Sequence, residues 1–264
     1  MKLKQTLKRW LYGSCPGFAG SFPYYGVKTY FPRNSLVFAL ACEQGIYEST
    51  NVRLMLSALR PGTTAFDIGA NIGLMSIPLL ASEPTLKVVS VEPSPHNHQS
   101  LTRTIRESRF HKRWEIATVA LSDREGEATF HCSSPSLGAF DGLADTGRAG
   151  KTSAIQVQLT TLDRLWEQHD RPDVSVIKID VEGAELSALR GATGCLRATR
   201  PVVLVEWNQI NLSSFDCPPD TLLTFATEME YDVYAMPALV RITSSIHLRS
   251  LMHFDESFIL MPRP

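Results

Sequence analysis

No stretch of this chain approaches the roughly 18 consecutive apolar residues that a membrane-spanning helix needs, so no span is expected. The N-terminus is basic but has no continuous apolar stretch, and it does not read as a secretory signal. Cysteine is scarce. The five residues, Cys15, Cys42, Cys132, Cys195 and Cys217, are odd in number, and none are spaced as zinc ligands. They read as reduced thiols in a cytoplasmic protein. Net charge is also nearly absent, at −1, so no nucleic-acid partner is expected. Acid is missing altogether from residues 1–42, which carry Lys2, Lys4, Lys8, Arg9, Lys28 and Arg33. There is no internal repeat.

What is present is enough apolar residue, 44% of 264, to bury one large core. The expected organisation is a basic N-terminal extension over 1–42, with an amphipathic helix and an edge strand, followed by one domain over 43–264. Leu3, Leu7, Trp10 and Leu11 share one helical face. That helix is suited to dock on the domain, on a second subunit or, through residues 1–12, on a membrane surface. Beyond it, helices are expected over 35–42 and 50–59. Strands at 64–68, 87–91, 115–121, 174–180 and 201–206 then alternate with helices at 73–81, 95–107, 160–168 and 183–196. Two more strands are expected near 231–236 and 257–261. Such alternation implies a doubly wound, mainly parallel α/β sheet.

The most specific stretch is Asp67-Ile68-Gly69-Ala70-Asn71-Ile72-Gly73. It reads as the end of a strand, a glycine turn and the start of a helix. Glycine lets the backbone turn sharply and approach a ligand. The helix that follows aims free N–H groups into the crevice. Asp67 would repel a phosphate, and the spacing is G-x-N-x-G, not the G-x-G-x-x-G of dinucleotide sites. The loop therefore suits a nucleoside carrying an amino acid, which points to S-adenosylmethionine. Glu92 closes the next strand, where an acid accepts both ribose hydroxyls.

At the far side of the sheet, an apolar strand ends in Lys178-Ile179-Asp180. Ligands bind beyond the carboxyl ends of such strands. Lys178 and Asp180 share a side by strand alternation, and a buried lysine needs a partner. The next strand ends in Glu206, close to Asn208. Asp180 is the first candidate for a general base, Glu206 the second, and Lys178 would tune or orient. Asp180, Glu206 and Asn208 also offer an oxygen set for Mg²⁺, but hydrogen bonding without a metal is the preferred reading. A long Gly/Ser-rich segment over 133–151 reads as a flap on the substrate side.

DIGANIG, VEPSP, ALSD, KIDVEGAE and the following LRGA together resemble the FkbM-type methyltransferases, from about residue 43 to 207. The resemblance implies a class I methyltransferase fold, with seven strands and an antiparallel last strand. It also implies S-adenosylmethionine-dependent O-methylation of a hydroxyl on a sugar, polysaccharide, glycolipid or natural product. The acceptor would be a small molecule or a glycan. By the same resemblance, Asp67, Gly69, Ala70, Asn71 and Gly73 surround the methionine part of the cofactor, and Glu92 takes the ribose. Ser122 and Asp123 lie near the adenine, and Glu48 closes over the cofactor. Two other readings remain: an NAD-dependent oxidoreductase, which the glycine spacing opposes, and a binding protein that keeps the fold without turnover.

Overall fold

The computed structural model describes residues 2–264, with the side chains from Leu3 onward; Met1, part of the expected N-terminal contact segment, lies outside the described residues. Thirteen strands are present: β1 (Ser21–Tyr24), β2 (Val27–Tyr30), β3 (Thr64–Ile68), β4 (Lys87–Val91), β5 (Trp114–Ala117), β6 (Ala120–Leu121), β7 (Gly126–Cys132), β8 (Ser153–Thr160), β9 (Val174–Ile179), β10 (Val202–Glu206), β11 (Tyr231–Ala235), β12 (Val240–Arg241) and β13 (Ser257–Pro262). The main sheet runs β12-β11-β13-β10-β9-β3-β4-β5. Pairing is parallel from β10 through β5. β13 is antiparallel to both of its neighbours. This is the expected seven-stranded class I order with a two-residue edge strand, β12, added. β13 lies between β10 and β11, so the last strand is interior.

β3 and β9 are buried along their whole length, as strands covered by helices on both faces must be. Alternate residues feed two cores. Phe66, Ile68, Ile177, Ile179, Val203 and Val205 pack on one face. Ala65, Val88, Val176 and Leu204 pack on the other. The second core also takes Phe22, Val27, Phe31, Val37 and Phe38. Residues 21–42 are thus packed on the sheet, and the expected boundary at 42/43 falls inside a helix, Leu36–Gln44.

The expected strand over 115–121 is broken into β5 and β6, which belong to different sheets. The expected helix over 183–196 is two short ones, Glu185–Arg190 and Thr193–Thr199. Gly191 separates them. A Cβ there would lie 2.1 Å from the carbonyl oxygen of Ser122, so the chain passes too close for a side chain. β7 and β8 pair antiparallel over seven residues and form a small second sheet with β6. That sheet carries the 133–151 segment as its connection. β8 was not among the expected strands, although Ile155, Val157 and Leu159 alternate with Gln156 and Gln158.

Candidate active site

The turn after β3 is shaped by close approach. Gly69 sits at φ +73°, and a Cβ on it would lie 1.7 Å from the backbone oxygen of Asp180. Gly73, at φ +84°, leaves no room for a Cβ against Leu101 and Trp114. Between them Asn71 takes φ +51°, a left-handed conformation that asparagine tolerates better than most residues. The backbone N–H groups of Gly69 and Ala70 both reach the carbonyl of Val91, each at 3.0 Å. The turn is therefore pinned to the ends of both neighbouring strands.

Asp67 is fully buried and accepts the Ser76 hydroxyl at 2.5 Å. Its second oxygen, Oδ1, has no hydrogen-bond partner and stands 3.9 Å from Lys178 Nζ. Register explains the meeting, since Asp67 and Lys178 are paired across β3 and β9. Burial raises the Asp67 carboxyl above its usual value, against the pull of Lys178. Lys178 donates to the Gly69 carbonyl at 2.8 Å and to Asp180 Oδ2 at 3.0 Å. Burial opposes its charge, but Asp180, Asp67 and Glu48 outweigh that and hold the ammonium firmly protonated. Lys178 thus ties the glycine turn to Asp180 at the carboxyl end of β9.

Asp180 is partly exposed and follows β9, where its N–H bonds to the Ile68 carbonyl. Burial works against its charge, but Lys178 and a hydrogen bond shared with Glu206 keep the carboxyl below its ordinary value. Glu206 shows the opposite. Burial, then repulsion from Asp180, raises it well above the usual range, which favours its protonated form. Glu182 completes a set of three carboxyl groups whose oxygens lie within 4.8 Å of one another. It is pushed up to about 8, by burial first and Asp180 second. The Mg²⁺ set expected with Asn208 is not the one assembled. Asn208 accepts the Ile210 N–H at 2.8 Å as a helix cap and donates to Glu256.

Glu92 stands across the same cavity. Its two oxygens accept the N–H groups of Asn71 at 2.7 Å and Ser94 at 2.9 Å. Each oxygen keeps a lone pair for a ligand hydroxyl. Burial raises this carboxyl to about 7, despite both N–H bonds. Glu48, at φ +45°, bonds to Asn51 at 3.0 Å and lines the cavity too.

The cavity measures about 400 Å³ and joins the glycine turn, Glu48, Glu92, Lys178, Asp180 and Glu206 in one space. Of the residues expected around the cofactor, Asp67, Gly73, Ser122 and Asp123 are not among those lining it. Ser122 bonds to Asp123, which is exposed and pairs with Arg124 at 3.6 Å. The cavity wall is formed there by Val119, Ala120 and Leu121 instead.

The 133–151 segment covers the cavity in two parts. The first is fastened to the glycine turn. The Gly138 carbonyl accepts from Asn71 at 3.3 Å and Asn97 at 2.8 Å, and Asp141 accepts the Ser94 hydroxyl at 2.6 Å. The second part reaches the other end of the cavity. Arg148 donates to Glu182 at 3.0 Å and Asn211 at 3.2 Å, with its guanidinium over the Phe140 ring. The segment is therefore not confined to one side of the site. Arg148, Asp141 and Glu182 were not picked out from the sequence. Glu182 was findable, since it stands within KIDVEGAE, two residues after Asp180. Arg148 and Asp141 lie in a loop that carries no periodic signal.

Comparison with known proteins gives a consistent answer. The Methyltransferase FkbM domain family matches residues 67–235, more than half of the chain. Hexuronic acid methyltransferase AglP of Haloferax volcanii is 27% identical over 157 residues, covering 60% of this chain and 61% of that protein. AMB antimetabolite synthetase AmbE of Pseudomonas aeruginosa is 25% identical over 181 residues, covering 55% of this chain but 8% of that protein. The chain thus spans less than two thirds of each relative's length. Among solved structures, a methyltransferase FkbM from Methylobacillus flagellatus superposes with a TM-score of 0.52 at 18% identity, over 84% of this chain and 52% of that one. A putative caffeoyl-CoA O-methyltransferase from Staphylococcus aureus gives 0.51 at 11% identity, over 87% and 93%. At these identities the two structures speak for the fold alone. With the glycine turn, the strand-end acids and the sheet order all in place, the chain belongs to the FkbM methyltransferase family.

Proposed function

We propose that this enzyme moves a methyl group from S-adenosylmethionine to a hydroxyl of a sugar, polysaccharide, glycolipid or natural product. One observation carries the reading: a single cavity holds both a nucleoside-type turn with Glu92 and, facing it, the Lys178–Asp180–Glu206 network. The residues fit the donor. Gly69, Ala70 and Asn71 line the cavity beside Glu92, and Glu92 has lone pairs free for two hydroxyls. Seven carboxyl groups line the cavity against two cations, Arg148 and Lys178, a balance that favours a positively charged sulfonium. The name of AglP, a hexuronic acid methyltransferase, supports a sugar acceptor.

S-adenosylmethionine supplies a methyl carbon activated by its positive sulfur. Gly69, Ala70 and Asn71 would hold its methionine part, Glu92 its ribose, and Glu48 would close the near wall. On the acceptor side, Asp180 takes the hydroxyl proton as the oxygen attacks, and Lys178 fixes the carboxylate in place. Positioning contributes much of the rate in such a displacement. Calorimetry with S-adenosylmethionine and S-adenosylhomocysteine should show saturable one-to-one binding, and mass spectrometry should detect a gain of one methyl on a saccharide in an acceptor panel. Binding of NAD with no response to either ligand would overturn the reading in favour of an oxidoreductase. Binding without transfer to any hydroxyl would favour a non-catalytic protein.

A second reading has its own observation: three carboxyl groups, Asp180, Glu182 and Glu206, within 4.8 Å, which would accept Mg²⁺. Against it, Lys178 and Arg148 already pair with Asp180 and Glu182, and burial favours the protonated form of Glu206. The metal-free reading is therefore preferred.

Arg148 should fasten the second part of the flap. Arg148→Gln removes an ion pair to a buried carboxylate, and hydrogen bonds to charged groups contribute about 1.5–3 kcal/mol each. Hydrogen exchange across 143–152 should quicken by roughly tenfold or more, while S-adenosylhomocysteine affinity stays near wild type. Unchanged exchange would show that the ion pair does not hold the loop.

A further inference from the structure

The first helix, α1 (Lys2–Ser14), leaves its apolar stripe unused by the fold. Leu3, Leu7 and Trp10 are 83%, 58% and 55% exposed. At 3.6 residues per turn they cluster on one side, roughly 160° around the helix from Gln5, Arg9 and Tyr12. That second side faces the body of the protein. Gln5 donates to the Glu43 carbonyl, Arg9 pairs with Glu43 at 3.9 Å, and Tyr12 packs against the core. The helix is thus held by its polar side with its apolar side outward, the reverse of an ordinary surface helix. Phe18, just beyond it, is exposed as well.

Charge identifies what the stripe meets. Lys4 and Lys8 are exposed and flank Leu3 and Leu7, and residues 1–42 contain no acid. An exposed apolar stripe bordered by lysines is the pattern of a helix lying in the plane of an anionic bilayer, with leucine and tryptophan in the acyl boundary and ammonium groups at the phosphates. No described helix is long and apolar enough to cross a membrane, so the contact is peripheral. We propose that α1 docks the enzyme on a phospholipid bilayer bearing anionic headgroups. The consequence reaches the active site. α1 packs against the helix Leu36–Gln44, whose Leu36, Val37 and Leu40 line the cavity. Docking therefore sets the cavity one helix away from the lipid surface.

The test is co-sedimentation of the full-length protein with phosphatidylcholine vesicles, with and without phosphatidylglycerol. The wild type should sediment only with the anionic vesicles and be released by salt. Lys4→Gln with Lys8→Gln should weaken partitioning about 25-fold, at about fivefold for each lysine near the surface. Leu7→Gln should weaken it by at least tenfold. Trp10 reports directly, because Trp114, Trp166 and Trp207 are buried. Its emission should shift to the blue on anionic vesicles, and the shift should vanish in Trp10→Phe. The variants lie outside the cavity, so S-adenosylhomocysteine affinity and melting temperature should match wild type. Equal binding to neutral vesicles, or none to anionic ones, would overturn the proposal. So would a dimer in light scattering that Leu7→Gln converts to monomer, which would assign the stripe to a second copy of the chain.

Discussion

Asp180→Asn should lower turnover by roughly two to four powers of ten while leaving the affinity for S-adenosylhomocysteine within a few-fold of wild type. Asparagine keeps the shape and one oxygen for Lys178, so the ammonium retains the Gly69 carbonyl and Asp67 as partners. What disappears is the negative charge that takes up the hydroxyl proton. Asp180 is the member of its pair held below its ordinary value, by Lys178 and by a hydrogen bond with Glu206, while burial raises Glu206. The two carboxyl groups titrate as a unit, and Glu206→Gln separates their roles. A glutamine amide still donates to Asp180, so that variant should retain far more activity than Asp180→Asn. The reverse ranking would make Glu206 the base. Loss of wild-type activity in EDTA, with recovery in Mg²⁺, would move the chemistry to the metal reading. Assays across pH on one acceptor, with and without chelator, decide among the three.

The parts legible in the sequence were those where one residue type answers one local demand. Gly69 and Gly73 were readable because the turn they form has no space for a Cβ. Asp67, Lys178 and Asp180 were readable because charge at the end of an apolar strand has to be paired. The mainly parallel sheet followed from the alternation of strands and helices, and the antiparallel last strand from the family resemblance. What escaped depended on distant contacts. Asp123 looked well placed by motif, but its side chain is exposed beside Arg124, and the cavity wall falls to Val119, Ala120 and Leu121. Arg148 belongs to a loop whose composition does not reveal that it meets Glu182, 34 residues further on. Asn208 offered a ligand oxygen on paper, but its side chain is committed to a helix cap and to Glu256. Even the apolar face of α1 was readable only as a stripe; that it points away from the domain is a fact of packing.

Glu92→Gln should separate the cost of the cofactor site from its use. In the protein without ligand, burial lifts the Glu92 carboxyl from 4.5 to about 7. The unfolded chain releases this proton near its ordinary value, while the folded chain keeps it until about pH 7. Between those values the folded state binds more protons, so its stability is fullest below the unfolded pKa and falls as pH rises through about 7. The loss amounts to something on the order of 3 kcal/mol. Glu185, also lifted to about 7 by burial, and Glu182, lifted to about 8, act in the same direction. Glutamine carries no charge to bury, but it meets one of the two backbone N–H groups with an amide nitrogen and gives up about 1 kcal/mol of hydrogen bonding. The variant should therefore be slightly less stable than wild type at pH 5 and about 1–2 kcal/mol more stable at pH 8. Denaturant titrations at both pH values would show the curves crossing. Parallel curves would mean that Glu92 does not titrate in this window. Ligand binding should move the other way. A charged acceptor for ribose hydroxyls contributes about 1.5–3 kcal/mol, so S-adenosylhomocysteine affinity at pH 8 should drop by roughly tenfold to a hundredfold. A variant that gained stability at pH 8 but bound as tightly as wild type would keep the electrostatic account of Glu92 and remove it from the ribose.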